Sequence, residues 1–426
     1  MSDFDYSFSA VRGKQAGRPC YIAMCPMRII PKIFVFNEEE VPPEIRAQRK
    51  LNKGRIPEMT NYLIANQKDY TLSSLTASID GETEFEPFSD EGPGANIGTL
   101  KISMDAQILI NDGQHRRAAI EAAINNETEL GHDHISVVFF LDDGLKRSQQ
   151  MFADLNKHAV RPSPSLATLY DQREELSNIA RRVMNEVNIF SRLTETEMTS
   201  ISNNSIKLFT LSAIKSANKA LLNKGKKDHI SEDEIQTAVD YWKYVVKNMN
   251  DWNLASHRKV NSRELRIGFI HAHGVLLHAL GLLGTQIIND KGKNDHISEN
   301  EIQTAVDYWK YVVKNMNDWN LASQRKVNSW ELRESYIHAH GVLLHALGLL
   351  GTQIINDKSK WIVLDKLTEI DWSRNSKLWK GRAVVNGRIT KSITNVKLTT
   401  SQIKKQLGLR LTKDELEREK EFKANA

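Results

Sequence analysis

The sequence predicts an α/β (α+β) domain at the N-terminal end followed by a mainly α-helical region, and three observations carry that reading. Gln107-Ile108-Leu109-Ile110-Asn111 alternates like a half-buried strand. It runs through the turn residues Asp112-Gly113 into a stretch where Ala118, Ala119, Ala122, Ala123 and Ile124 recur at helical spacing. His134 to Leu141 is rich in β-branched and aromatic residues, the composition of a buried strand. From about Leu166 to Lys360, by contrast, the apolar residues fall at helical intervals.

In chain order, Tyr21 to Pro31 mixes apolar runs with proline and predicts a strand leading into the first domain. Pro43 to Ala65 turns helical, with Ile45, Leu51, Ile56, Met59 and Leu63 among its apolar positions. Tyr70 to Ile79 predicts a strand closed by Asp80-Gly81, and a Gly/Pro/Asp-rich loop occupies Glu86 to Gly98. After the His134 strand, Lys146 to Asn156 predicts a helix that the prolines of Arg161 to Ser165 end. The expected divisions are residues 1–165, 166–360 and 361–426.

The helical region contains a tandem duplication. Asp228 to Lys293 returns almost letter for letter as Asp295 to Lys360, offset by 67 residues. Each copy opens with a capping box, Ser231 with Glu234 and Ser298 with Glu301. Such a unit enters a helical domain without destroying it when copy two stacks on copy one as solenoid units do. Three of the differences are consecutive, Ile267-Gly268-Phe269 against Glu334-Ser335-Tyr336, which predicts a face buried in one copy and wetter in the other. His271, His273 and His278, matched by His338, His340 and His345, lack the i, i+4 spacing of a helix-borne zinc site and are expected to pack. His132, Asp133 and His134 sit together just before the strand, but neighbouring residues on a strand point to opposite faces, so the two histidines could hold a metal only with a third ligand from elsewhere, and none is expected.

At 426 residues, 40% hydrophobic and 26% charged, the chain has the composition of a soluble globular protein with two or three cores. No apolar run is long enough to span a bilayer, and the acidic start Met1 to Asp5 is not expected to act as a secretion leader. Cys20 and Cys25 make no disulfide framework, so a reducing cytoplasm is the expected home, and a DNA-binding role would place the chain at the nucleoid. The net charge of +5 is unevenly placed: residues 361–426 hold 15 Lys+Arg against 8 Asp+Glu, the rest 43 against 45. Lys377, Lys380, Arg382, Arg388, Lys391, Lys397, Lys404, Lys405 and Arg410 are interleaved with Trp372 and Trp379, and acids stay nearly absent until Asp414. Clustered cations bind the DNA backbone through counterion release, which makes this stretch the candidate DNA-contacting surface; a solvated basic face is the plain alternative. Val384 to Ile389 predicts a hairpin on its Asn-Gly turn, and Ser401 to Leu409 and Thr412 to Phe422 two short helices, the second with a Thr412/Glu415 capping box.

The chemistry of the first domain centres on the turn. A helix N-terminus exposes unpaired N–H groups and the positive end of the dipole, Gly113 allows close approach, and His115, Arg116 and Arg117 add donors suited to phosphate. Two readings compete, because Asp112 as an N-cap would take the same N–H groups.

Asn111-Asp112-Gly113-Gln114-His115-Arg116-Arg117 resembles the signature of the DGQHR-domain proteins, and the chain as a whole resembles the DndB family of DNA sulfur modification. Ala47 to Leu63, Tyr70 to Glu82 and Met151 to Leu166 support the likeness. The resemblance implies an N-terminal fold distantly similar to ParB and sulfiredoxin, in which Asp112, Gly113, Gln114, His115, Arg116 and Arg117 face nucleotide phosphates and the Asn156-Lys157 loop lies near the turn. Gln114 stands where sulfiredoxin carries its nucleophilic cysteine, so reduction of sulfinic acids is not expected. The resemblance also implies a repressor that binds double-stranded promoter DNA of the phosphorothioation genes.

Three function classes follow: a DNA-binding transcriptional regulator, modulated by ATP or another nucleotide at the turn; a nucleotide-hydrolysing enzyme with His115 as acid–base group; and a scaffold for other proteins of the modification system. No second catalytic group at a telling spacing supports the enzyme. Oligomeric state stays open.

Overall fold

The computed structural model describes residues 5–34, 54, 56–141, 150–151, 154–155, 162–202, 204–225, 228–268, 274–291, 298–323 and 329–424. The chain divides into two compact units, residues 1–161 and 162–426.

The first unit is built on a seven-stranded sheet in the order β4-β5-β1-β2-β7-β3-β6. The strands are β1 Asp5–Gln15, β2 Arg18–Pro26, β3 Leu75–Asp80, β4 Thr83–Pro87, β5 Ile97–Ser103, β6 Gln107–Asp112 and β7 His134–Leu141. Within this sheet, among the described residues, β3 and β7 pair in parallel and the other five pairs are antiparallel. Two helices, α1 Ile56–Ala65 and α2 Gln114–Asn126, pack against one another. Their apolar side joins the alternate strand residues Phe8, Ala10, Ala23, Cys25, Val137 and Phe139 in one core through Leu63, Ile120 and Ala123. Burial pushes the Cys25 thiol up to about 12, which leaves it inert as a nucleophile.

The α+β expectation holds, and its omissions have physical causes. β1 and β2 form a hairpin whose turn puts both Ala16 and Gly17 at positive φ, 48° and 80°. That is the backbone of a type I′ turn, reached without the Asn-Gly pair that announces one. The expected loop over Glu86 to Gly98 is the connection of a second hairpin, β4 to β5. The strand expected from Tyr70 begins only at Leu75. The expected helix Lys146 to Asn156 lies for the most part outside the described residues, as does the first half of Pro43 to Ala65.

The second unit is helical. Its principal helices are α3 Leu211–Leu222, α4 Glu232–Lys247, α5 Gly274–Lys291, α6 Glu299–Lys314, α7 Gly341–Ile354, α8 Ile393–Gln406 and α9 Lys413–Ala424. The capping box at Ser231 forms: Ser231 N–H donates to Glu234 at 2.9 Å and Glu234 N–H to Ser231 Oγ at 3.2 Å. In copy two Ser298 N–H donates to Glu301 at 2.8 Å.

The duplicated units stack by repetition. α5 packs on α3, and α7 packs on α5. The glycines that permit the close approach recur: a Cβ on Gly284 would lie 2.4 Å from Leu221 Cδ1 and 2.8 Å from Tyr241, and one on Gly351 would lie 2.4 Å from Leu283 Cδ2 and 2.8 Å from Tyr308. Tyr241 Oη donates to Leu280 O at 2.6 Å, and Tyr308 Oη to Leu347 O at 2.9 Å. Of the face expected to differ between copies, Glu334 and Ser335 are exposed, while the side chains of residues 267–269 lie outside the described residues. His338 is fully buried and meets Asp318 at 2.8 Å, a packing role; His271 and His273 lie outside the described residues.

Residues 361–426 share the core of this unit: Trp361, Leu364, Trp379, Ala383, Val396 and Ile403 belong to the same buried cluster as Val342 and Leu347.

Candidate functional site

The turn after β6 is organised by Gly113, which has φ +108° and no room for a side chain, since a Cβ there would lie 2.4 Å from Leu75 Cδ2. Only glycine satisfies both conditions. α2 starts at Gln114 with Gly113 in the capping position and no side-chain cap. Asp112 is therefore not the N-cap; its carboxylate accepts from Arg116 Nη2 at 2.6 Å.

The arginines of the signature are committed to the fold. Arg116 Nη1 donates to Ser73 O at 2.8 Å, Ser73 Oγ at 2.6 Å and Ser74 O at 2.5 Å, tying α2 to the lead-in of β3. Arg117 donates from Nε to Phe34 O at 3.1 Å, from Nη2 to Pro31 O at 3.0 Å, and from Nη1 to Glu121. Their side chains are 13% and 12% exposed. Gln114 folds back onto Ile110 O at 3.1 Å, and Asn111, fully buried, donates to Ser78 Oγ at 2.5 Å. Arg116 and Arg117, expected to present donors to a phosphate, direct these N–H groups in this structure to carbonyls, a hydroxyl and carboxylates of the same unit. His115 is half-buried. Asn156 and Lys157 lie outside the described residues.

The basic C-terminal stretch separates into two classes of cation. Arg382 is 5% exposed, grips Glu419 with both Nη atoms, the second at 2.8 Å, and donates to Leu398 O at 3.0 Å. Lys404, 2% exposed, pairs with Glu415, and Lys405 pairs with Glu419. These three were expected on the DNA-facing surface; α9 brings its carboxylates back onto them. Lys404 and Arg382 hold Glu415 and Glu419 below the usual carboxylate range despite their burial. The interleaved tryptophans are also internal: Trp372 and Trp379 stack at 5.2 Å and 5° in the core. Lys377, Lys380, Arg388, Lys391, Lys397 and Arg410 are exposed.

α8 starts eight residues before the expected Ser401, at Ile393 behind the cap Ser392. Its hydroxyl-rich sequence hides it. Thr399, Thr400 and Ser401 sit inside the helix with their hydroxyls satisfied by the carbonyls of Asn395, Val396 and Lys397 at 2.7, 3.0 and 3.1 Å. The Asn386-Gly387 hairpin and the Thr412/Glu415 box form as expected, the latter with Thr412 N–H donating to Glu415 at 2.7 Å.

Among the described residues no group of three or more His, Cys, Asp or Glu is placed to hold a metal, and no helix is long and apolar enough to cross a membrane.

In comparisons with known proteins, the family model DndB, described as DNA-sulfur modification-associated, matches residues 8–296 and 286–410. The first stretch contains copy one of the duplication and the second contains copy two. No curated protein and no solved structure matches the chain.

Proposed function

The chain belongs to the DndB family of DNA-sulfur modification-associated proteins, and from that premise we propose that it regulates the modification genes by binding their double-stranded promoter DNA through its C-terminal cations. The observation that carries the reading is the asymmetry of charge. No acid occurs between Asp371 and Asp414, and after Glu415 and Glu419 have taken Arg382, Lys404 and Lys405, the cations Lys377, Lys380, Arg388, Lys391, Lys397 and Arg410 still face solvent. Exposed cations without interspersed acids neutralise phosphates and release counterions. Other proteins of the same modification system are its candidate protein partners.

The experiment is a gel-shift titration of promoter DNA at two salt concentrations with the wild-type chain and with Lys377→Glu/Lys380→Glu/Arg388→Glu. Binding should weaken steeply with salt, and the slope of log K against log salt should fall by about 1 for every phosphate no longer neutralised. Salt-insensitive binding, or a triple variant that binds like the wild type, rejects the C-terminal surface.

A further inference from the structure

Within the helical unit a cavity of about 630 Å³ opens between the two copies of the duplication, α5 contributing His278 and α7 contributing His345. Four cations line it, Arg263, Arg266, Arg333 and Lys391, and none of the lining residues is acidic. The duplication doubles the set: Arg333 is the copy-two equivalent of Arg266, and His345 of His278. Stacking the second copy on the first therefore brings two like charges and two like rings to one opening, with the histidine rings 4.5 Å apart.

The Arg266 guanidinium donates to Ser205 O at 2.8 Å, to Ser202 O at 3.0 Å and to Lys207 O, which fixes its orientation at the wall. Burial and, after it, the Arg263 charge push Arg266 down, and burial alone pushes Arg333 down, so the one charge repulsion at this wall is that of Arg263 on Arg266. An anion entering the cavity relieves that repulsion. Ser200, Thr199 and Ser216 add hydroxyls along the wall, and Val275, Leu208 and Ile201 an apolar side. The volume lies in the range, roughly 300–1,000 Å³, of small-molecule sites.

We propose that this cavity binds the phosphate groups of a small phosphorylated ligand of nucleotide size. The cavity shares Lys391 with the C-terminal DNA surface, but Arg263 lies outside that stretch, so its substitution tests the cavity alone.

The test uses the full chain and pyrophosphate as probe, titrated calorimetrically in chloride buffer. One saturable site is expected, with affinity falling at least tenfold in Arg263→Glu and in Lys391→Glu. Both residues are exposed, so unchanged circular dichroism melts show that the variants fold. Displacement of pyrophosphate by a nucleoside triphosphate assigns the phosphate to a free nucleotide, and displacement by a short single-stranded oligonucleotide assigns it to a nucleic-acid backbone. No heat above chloride, or full affinity retained in Arg263→Glu, overturns the proposal. Gel shifts of promoter DNA with Arg263→Glu, expected unchanged, keep the two readings separable.

Discussion

His278 and His345 hold the same place in two copies of one sequence unit, and the fold sets their rings 4.5 Å apart between α5 and α7. Burial pushes both imidazoles down, His345 to about 4, with His278 and Lys391 adding charge repulsion. Both rings are neutral at neutral pH. In the unfolded chain they protonate near the ordinary 6.5, so their contribution to stability is full above that value and is lost as pH falls toward 4. All eight tryptophans lie beyond residue 161, so tryptophan fluorescence reports the helical unit by itself.

The unfolding free energy from urea titrations followed by that fluorescence should therefore drop between pH 7 and pH 5, by about 1–2 kcal/mol from His345 and further from His278. His345→Gln should flatten the drop in this window. The loss below about 4.5, where Glu415 and Glu419 protonate, should remain in the variant. A midpoint equal at pH 7 and pH 5 would show that the two rings are solvated.

The turn at Gly113 makes a different forecast. Arg116 joins Asp112, Ser73 and Ser74 with one planar fork, a geometry that lysine cannot reproduce. Arg116→Lys should loosen the β3–β6 edge, and Gly113→Ala should destabilise the first unit by about 1–3 kcal/mol from backbone strain before any clash with Leu75. Hydrogen exchange resolved to residues 75–80 and 107–112 is the readout. Protection unchanged in Arg116→Lys would remove the clasp and return the arginine to a ligand role.

Much of this was legible in the chain, and the parts that were not share a cause. The β6–turn–α2 unit, the His134 strand, the capping boxes and the stacked duplication are written in local patterns: alternation, turn residues and repeats. β1 escaped because its turn uses Ala16 instead of asparagine, and the first half of α8 because threonine and serine have low helix propensity and the packing of the helix overrides it. Partners distant in sequence were invisible. Nothing in the spelling of Arg382 or Lys404 distinguishes them from Lys377 or Lys380; only the return of α9 does. Likewise the signature arginines look like phosphate ligands until Ser73, Ser74, Phe34 and Pro31 are seen to occupy them.

Arg382 and Glu419 allow that separation to be measured. Removing Arg382 leaves the buried Glu419 with Lys405 as its remaining cation and Leu398 O without this donor, and breaking a buried pair costs up to about 3–5 kcal/mol. Arg382→Met should lower the fluorescence midpoint by that order, and Arg382→Met/Glu419→Leu should recover most of it. The double variant should shift promoter DNA with the salt slope of the wild type. A reduced slope in a folded double variant would put Arg382 on the DNA after all.

The duplication also supplies an internal control for one buried hydrogen bond. Trp242 Nε1 donates to Asn218 Oδ1 at 3.0 Å, and Asn218 Nδ2 to Ile214 O at 2.9 Å. Copy two repeats the indole but not its acceptor. Asn218 precedes the duplicated segment; Gly281 and Gly284 meet Ala217 and Leu221 where Gly348 and Gly351 meet Ala279 and Leu283, so Leu280 stands in the place of Asn218 and its side chain offers no acceptor. Trp309 Nε1 is buried without a hydrogen-bond partner among the described residues. A buried donor left unmade costs about 1–3 kcal/mol, so copy two already carries the penalty that copy one avoids. Trp242→Phe should therefore destabilise the unit by about 1–3 kcal/mol more than Trp309→Phe, since the first change orphans Asn218 and the second removes an orphan. The urea midpoints of the two variants, read on the seven tryptophans left in each, decide it: equal losses would mean that the Asn218 bond contributes nothing to the first copy.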